Sequence, residues 1–356
     1  MDLFHILYSK NYKMRKSPFH LQAKGEIDLC KLFLGSNLYL FSYARHAFRE
    51  LLRVMALGSG DIIYIPSFIC RDMLSPINDC GAQVVFYEVD LKLRAKLNFS
   101  VKAKLVLAVN YFGFAQDLDP FHEYCKNNEA LLVEDNAHGL FSRDSNGQLL
   151  GSRGDFGLLS IRKTVFLPNG AALLVNDTEF READFQQATF NHTNEDLSYK
   201  KKKQMKKFVN LFGLYFGVTI LFLRRFLRCL KTGSLNPLPD KDSECIMPLN
   251  TEVTPLIKEG LLPISINEES LFRRNSYLRI LKWAENLNIF PIWEFLNDET
   301  VPFVFPFYAS EEESKKFESF LLRQGFFVLP WPDIPKAVAD SCPIHYKQVK
   351  VVPFIW

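Results

Sequence analysis

Leu131-Leu132-Val133-Glu134-Asp135-Asn136-Ala137-His138-Gly139 is the stretch on which the reading of this chain turns. Its candidate strand, Leu131 to Glu134, has the length of one buried strand, and its apolar residues give way to Glu134 and Asp135 before a loop. Ligands gather at strand ends of this kind in open α/β sheets. An aspartate there can equally do no more than cap the next helix, and spacing alone leaves both readings open.

Similar short runs rich in Val, Ile, Leu and Phe stand on both sides, at Asp61 to Ile65, Gln83 to Tyr87, Leu105 to Asn110, Phe156 to Ser160 and Ala171 to Val175. Several are apolar on both faces, and stretches of helical spacing separate them, the pattern of strands joined by crossover helices. The fold class is therefore α/β, with a mostly parallel mixed sheet between helices. Ser42 is placed to cap a helix whose Ala44, Phe48, Leu51, Leu52 and Met55 share one face, with Gly58 and Gly60 ending it. A second element of interest is Gly154-Asp155-Phe156-Gly157-Leu158-Leu159-Ser160-Ile161-Arg162-Lys163, followed by Pro168-Asn169-Gly170. It sets a lysine in a loop between two strands, where a lysine by itself is usually a solvated surface residue.

Composition narrows the functions. A chain of 356 residues with 48% hydrophobic content can bury one large core, or a large domain with a smaller one attached. Lys and Arg number 43 against 40 Asp and Glu, and a net charge of +3 is too small to gather nucleic acid. The seven cysteines (30, 70, 80, 125, 229, 245 and 342) are odd in number and form no C-x-x-C pair, which argues against a disulfide framework and a zinc site. A cytoplasmic location is expected, since the apolar run Leu3 to Tyr8, before Lys10, Lys13, Arg15 and Lys16, is too brief for a secretory signal.

Residues 200–231 differ in kind. Lys200 to Lys203, Lys206 and Lys207 lead into the apolar Phe208 to Leu223, and Arg224, Arg225 and Arg228 close it. Sixteen mainly apolar residues make a helix of roughly 24 Å, short of the ~30 Å hydrocarbon core. Such a helix either packs as a buried or subunit-interface element, the preferred reading, or lies as a peripheral contact on the inner face of an anionic membrane. The polar, proline-bearing stretch Asn236 to Pro255 then reads as a linker. A large domain over 1–235 and a linker with a small C-terminal α+β domain over 236–356 are expected. The latter has a helix from Ser270 through Trp283, a strand at Val301 to Phe307, a helix at Glu311 to Arg323 and a strand at Phe326 to Leu329.

Taken in order, these elements resemble the DegT/StrS family of pyridoxal-phosphate (PLP)-dependent sugar aminotransferases, which share the aspartate aminotransferase fold. The resemblance runs through Ser42-Tyr43-Ala44-Arg45-His46-Ala47, Asp61 to Phe68 with its Pro66-Ser67, Gly81-Ala82, Val109-Asn110-Tyr111-Phe112-Gly113, Asp117-Leu118-Asp119 and Glu134-Asp135. It continues through Gly154-Asp155-Phe156-Gly157 to Lys163, then Arg273-Arg274-Asn275-Ser276-Tyr277 and Gly325 with Pro330-Trp331-Pro332. It implies that Lys163 bonds to the aldehyde of PLP and shuttles a proton, that Asp135 faces the pyridine nitrogen, and that His138 lies near the ring hydroxyl. Ser160 and the backbone N–H groups of Ala44 and Arg45 would hold the phosphate. Phe68 or Cys70 would lie against the ring, Cys70 taking a position often aromatic, and Asn110 and Tyr111 would touch substrate. No metal is implied.

The chain departs from the family in places. Ser160-Ile161-Arg162-Lys163 is two residues shorter than the usual Ser-Phe-His-x-x-Lys and lacks its His, the partner-subunit segment has its nearest counterpart in Asn191-His192, and a further strand and helix would be expected beyond Trp356. The implied function is transfer of an amino group from glutamate or a similar donor to a nucleotide-linked keto-deoxy sugar, for surface polysaccharide or glycoside biosynthesis, by a homodimer. The alternatives are a PLP-dependent sugar dehydratase or lyase, and a catalytically retired member that acts as a membrane-associated binding partner. The dehydratases of this fold replace the lysine with His, so Lys163 speaks against that option.

Overall fold

The computed structural model describes residues 28–234, 242–261 and 264–354. The N-terminal run at 3–16, the start of the linker with Pro237 and Pro239, and Trp356 lie outside the described residues.

An eight-stranded sheet forms the core of the larger unit, in the order β1-β8-β7-β6-β5-β2-β3-β4. Its strands are β1 (Asn37–Phe41), β2 (Ile62–Pro66), β3 (Gln83–Val89), β4 (Ala95–Lys96), β5 (Leu105–Val109), β6 (Leu131–Asn136), β7 (Phe156–Leu159) and β8 (Ala171–Val175). The five strands β3, β2, β5, β6 and β7 run parallel, while β1, β4 and β8 join antiparallel. The expected α/β class and mostly parallel mixed sheet are therefore borne out. Every residue of β5 and β8 is buried, as strands covered on both faces require. In β7, Gly157 is needed for a close approach, since a Cβ there would stand 1.9 Å from the carbonyl oxygen of Gly151.

Helix α1 (Ala44–Val54) buries His46, Ala47, Phe48, Leu51 and Leu52. Its cap corrects the sequence reading: Tyr43, not Ser42, is the N-cap residue, and no side chain caps the helix. The Ser42 hydroxyl is used elsewhere, 2.6 Å from His46 Nδ1 and donating to the Asn250 carbonyl at 3.0 Å. The first-turn N–H groups are thus left without a side-chain acceptor. The helix also ends before Gly58, with Ala56 taking the left-handed turn at φ 51°.

Helix α2 (Asp119–Asn128) packs on β5 and β6, and the short α3 (Ile161–Thr164) follows β7. The expected sixteen-residue helix is instead the middle of α4 (Asn194–Thr232), 39 residues and roughly 58 Å long. The lysine run read as a flank is helical because lysine propagates a helix well, and a capping box of Thr193 and Asp196 starts it upstream. The side chains of 208–215, 218 and 221 lie outside the described residues.

A second sheet, in the order β11-β12-β10-β9, joins β9 (Phe290–Pro291), β10 (Val304–Tyr308), β11 (Leu329–Pro330) and β12 (Val349–Pro353), all antiparallel. Helix α5 (Ile266–Glu285) starts earlier than expected because the Ser265 side chain accepts from the Glu268 N–H. Helix α6 (Glu311–Arg323) has the expected bounds, set by a Ser310/Glu313 capping box. The strand expected at Phe326 to Leu329 shrinks to two residues, since the Phe326 N–H still closes the helix end on Leu321 and Pro330 lacks a donor. Strand β12 takes the place beside β10.

The carboxyl edge of the large sheet is tied to this unit. The N–H of Phe303 donates to Phe112 at 2.8 Å, that of Val301 to Ser142 Oγ at 3.0 Å, and that of Arg71 to Asp333 at 3.0 Å.

Candidate active site

The chain leaves β2 for β3 on one side and later returns to β5 on the other, so the strand order reverses between β2 and β5. Residues following parallel strands diverge at such a switch point and leave a crevice outside the carboxyl ends. A cavity of about 240 Å³ lies there. Phe68 and Cys70 reach it from the end of β2, Tyr111 from β5, Asp135 and His138 from β6, and Ser160 and Lys163 from β7. Ala44 and Arg45 close one end from the start of α1, and Trp331 comes from the C-terminal unit.

The turn that carries Lys163 is held on both sides. The Arg162 N–H donates to Gly170 at 3.0 Å and the Val165 N–H to Ile161 at 2.8 Å. One guanidinium nitrogen of the buried Arg273, on α5, donates to the Thr164 carbonyl at 2.9 Å. Burial pushes the Lys163 amine down from its ordinary pKa, against the opposing pull of Cys70 and Asp135. Asp135 responds in the opposite direction: burial raises its pKa, and Lys163 and a 2.9 Å bond from the Ala137 N–H oppose the rise.

His138 is stacked on Phe303, with ring centroids 4.8 Å apart, and lies parallel to Phe112 at 5.7 Å. Burial, reinforced by Lys163, holds its pKa well below the usual value, so the ring is neutral. Its Nδ1 accepts from the Phe112 N–H at 3.4 Å, which puts the proton on Nε2, 3.1 Å from Lys163 Nζ. An N–H facing an amine at that distance is a hydrogen bond only if the amine is uncharged. Burial and the His138 contact thus both work against the charged form of Lys163. The rate at which PLP bonds to the protein should accordingly rise with pH through an apparent pKa below 10.5 and level off above it; stopped-flow absorbance measures this, and a midpoint at or above 10.5 would contradict it.

Behind Asp135 lies a polar network that spacing did not reveal. Glu134 is fully buried and holds Arg153 through contacts of 2.5 and 2.8 Å to Oε1 and 2.9 Å from the Arg153 N–H to Oε2. Asn110 belongs to this network rather than to the cavity. Its amide donates to Glu134 at 2.7 Å, and its oxygen accepts from Gln116 and Arg153, each at 2.9 Å. The network fixes the end of β6 on which Asp135 sits. Glu134→Gln should therefore lower stability, read as a lowered urea midpoint, by less than the about 3–5 kcal/mol of a buried ion left unpaired, because Asp144 remains 3.7 Å from Arg153.

Cys70 lines the cavity where an aromatic ring is usual, and burial raises its thiol pKa. Phe68 does not offer its ring instead, being fully buried against Tyr111 and Tyr346, with the Tyr111 hydroxyl donating to the Phe68 carbonyl at 2.7 Å. A half-buried aromatic ring comes from Trp331, whose centroid is 5.7 Å from Lys163 Nζ. Tyr43 and Arg162, stacked at 5.0 Å, also line the cavity. These three were missed as site residues. The Pro330-Trp331-Pro332 element was a visible signal for the first, but which way it points depends on the packing of the second sheet.

The arrangement fits a phosphorylated pyridine aldehyde. The uncapped N-terminus of α1 offers backbone N–H groups and a positive dipole end beside Ser160, suited to a phosphate. Lys163 supplies an amine, and Asp135 a buried acid that would gain from facing a protonated ring nitrogen.

A mixed sheet of this order, with such a cavity at its carboxyl edge, is the architecture of PLP-dependent aminotransferases. Solved structures align over most of the chain: an aminotransferase from Brucella abortus over 91% of this chain and 82% of its own, with a TM-score of 0.57 and 14% identity, and a Streptococcus pneumoniae protein in its PLP form over 97% and 94%, at 0.54 and 16%. At these identities they establish the fold. The chain belongs to the DegT/DnrJ/EryC1/StrS aminotransferase family, whose sequence pattern matches residues 37–214. The Streptococcus pneumoniae protein is also known in its PMP form. Curated relatives include the GDP-perosamine synthase of Vibrio cholerae, 30% identical over 35% of this chain and 36% of its own length. The UDP-4-amino-4-deoxy-L-arabinose–oxoglutarate aminotransferase of Shewanella sediminis is 29% identical over 45% and 40%. The matched stretch thus spans well under half of these relatives.

Proposed function

We propose that the chain is a PLP-dependent aminotransferase that moves an amino group from glutamate or a similar donor to a keto-deoxy sugar linked to a nucleotide, for surface polysaccharide or glycoside biosynthesis. The observation that carries this reading is an amine and a carboxylate, Lys163 and Asp135, lining one cavity and shifting each other's ionisation. When bound, PLP supplies an electron sink for a carbon that has lost a proton. Lys163 would hold the cofactor through its amine and would accept and return that proton at Nζ. Asp135 would face the ring nitrogen and favour its protonated form. His138 orients the Lys163 amine through Nε2, and Ser160 with the Ala44 and Arg45 N–H groups anchors the phosphate.

A second cavity of about 220 Å³ shares Val109 and Tyr111 with the first and is lined by Lys92, Arg94, Arg143 and the exposed Phe295. Cations beside an aromatic ring suit a nucleoside diphosphate, which supports a nucleotide-linked substrate and a role for Tyr111. A homodimer, and a division into a large unit over 1–235 and a linker with a small unit over 236–356, belong to the same proposal. The test is incubation of the PLP-loaded protein with glutamate and a panel of nucleotide-linked keto sugars, with mass spectrometry of the products. An aminated sugar is expected. A colourless protein whose spectrum PLP leaves unchanged would favour a retired member, and loss of water without gain of nitrogen would favour a dehydratase.

A further inference from the structure

Helix α4 is cationic out of proportion to the rest of the chain. It holds ten lysines and arginines against two acids, Glu195 and Asp196, while the whole chain carries only +3, so everything outside the helix is net acidic. At about 100° per residue, the buried Asp196, Tyr199, Lys206 and Gly217 fall on one side together with Arg225, which pairs with Glu318 of α6 at 2.9 Å. That side faces the protein body. The opposite side carries Phe222, Leu223, Phe226, Leu227 and Leu230, exposed by 46%, 53%, 48%, 56% and 69%. On one flank of this apolar arc, about 40° and about 60° beyond Leu227, stand the exposed Lys231 and Arg224, and the exposed Lys200 to Lys203 and Lys207 continue the positive charge toward the helix start.

An apolar face flanked by cations could meet a second copy of the chain or a lipid surface, and charge decides between them. Self-pairing through this face would bring two sets of the same cations together, and like charges across an interface repel. An anionic bilayer satisfies both features, taking the apolar side chains at the boundary of headgroups and acyl chains and the basic ones among the phosphates. Phe222 to Leu230 spans only about 13 Å, enough to lie in an interface but not to cross one, and among the described residues no helix is long and apolar enough to cross a membrane. We propose that α4 lays its Phe222 to Leu230 face on an anionic lipid surface and so holds the protein at a membrane. This inference is independent of the reaction proposed above.

The test is flotation of the full-length, PLP-loaded protein with vesicles that contain phosphatidylglycerol or phosphatidylcholine alone. Co-flotation with the anionic vesicles at low salt, and its loss at high salt, is expected. Leu223→Glu combined with Leu227→Glu should abolish it, and Arg224→Gln with Lys231→Gln should weaken it about thirtyfold. Both variants should keep the visible absorbance of the bound cofactor, which reports an intact fold. Flotation that is absent, or the same with neutral vesicles, overturns the proposal. So does a wild-type dimer that ignores vesicles and that the Leu223/Leu227 double variant splits, which would assign the face to a second copy.

Discussion

Lys163→Ala should abolish the visible absorbance of the bound cofactor and lower turnover by at least about 10⁴-fold, since a general base alone is worth roughly 10² to 10⁴ and here the same side chain is also the nucleophile. The structure explains why no neighbour substitutes. Arg162 carries a permanently charged group, and the thiol of Cys70 is held protonated by burial. His138 faces the same point, but its Nε2 carries a proton and its ring is fixed by Phe303 and Phe112. Spectroscopy of the purified variant with added PLP measures the first effect and a coupled glutamate assay the second. A variant that retained the band would show that the cofactor bonds elsewhere.

Asp135→Asn should give a different signature. The amide keeps the shape and can still accept from the Ala137 N–H, so PLP should still bond to Lys163 and the band should persist. What disappears is a negative charge. A charge contact in a partly buried site is worth on the order of 4 kcal/mol, which sets the expected loss of turnover at about 10³-fold. Because Asp135 also raises the Lys163 pKa, the pH midpoint for cofactor bonding should move downward in this variant. Turnover that stayed within a few-fold of wild type would remove Asp135 from the mechanism.

The contrast between these two residues and Asn110 shows how far local pattern reaches. Spacing placed Asp135 and Lys163 at or just beyond short apolar runs of buried-strand length, which deliver their ends to a common edge. It left a cap and a surface lysine equally open, and the ordered resemblance to the family singled the two out. Asn110 follows a strand by the same rule, yet its amide is spent on Glu134 and Arg153. Nothing local distinguishes the two outcomes, since Arg153 arrives from a loop 43 residues further on. The cap of α1 shows the same limit: Ser42 has the right side chain in nearly the right place, but contacts with His46 and the distant Asn250 claim it.

By itself the sequence determined six of the eight strands of the large sheet and the class of fold, because hydrophobic periodicity and strand length are properties of neighbouring residues, while β1 and the two-residue β4 escaped it. The order of its motifs pointed to the lysine and the carboxylate. Only the tertiary structure decided that His138 faces Lys163, that Trp331 rather than Phe68 presents a ring to the cavity, and that the apolar end of α4 turns away from the body. Each of these depends on contacts between segments far apart in the chain, and such contacts are set by how whole elements pack rather than by any local run of residues.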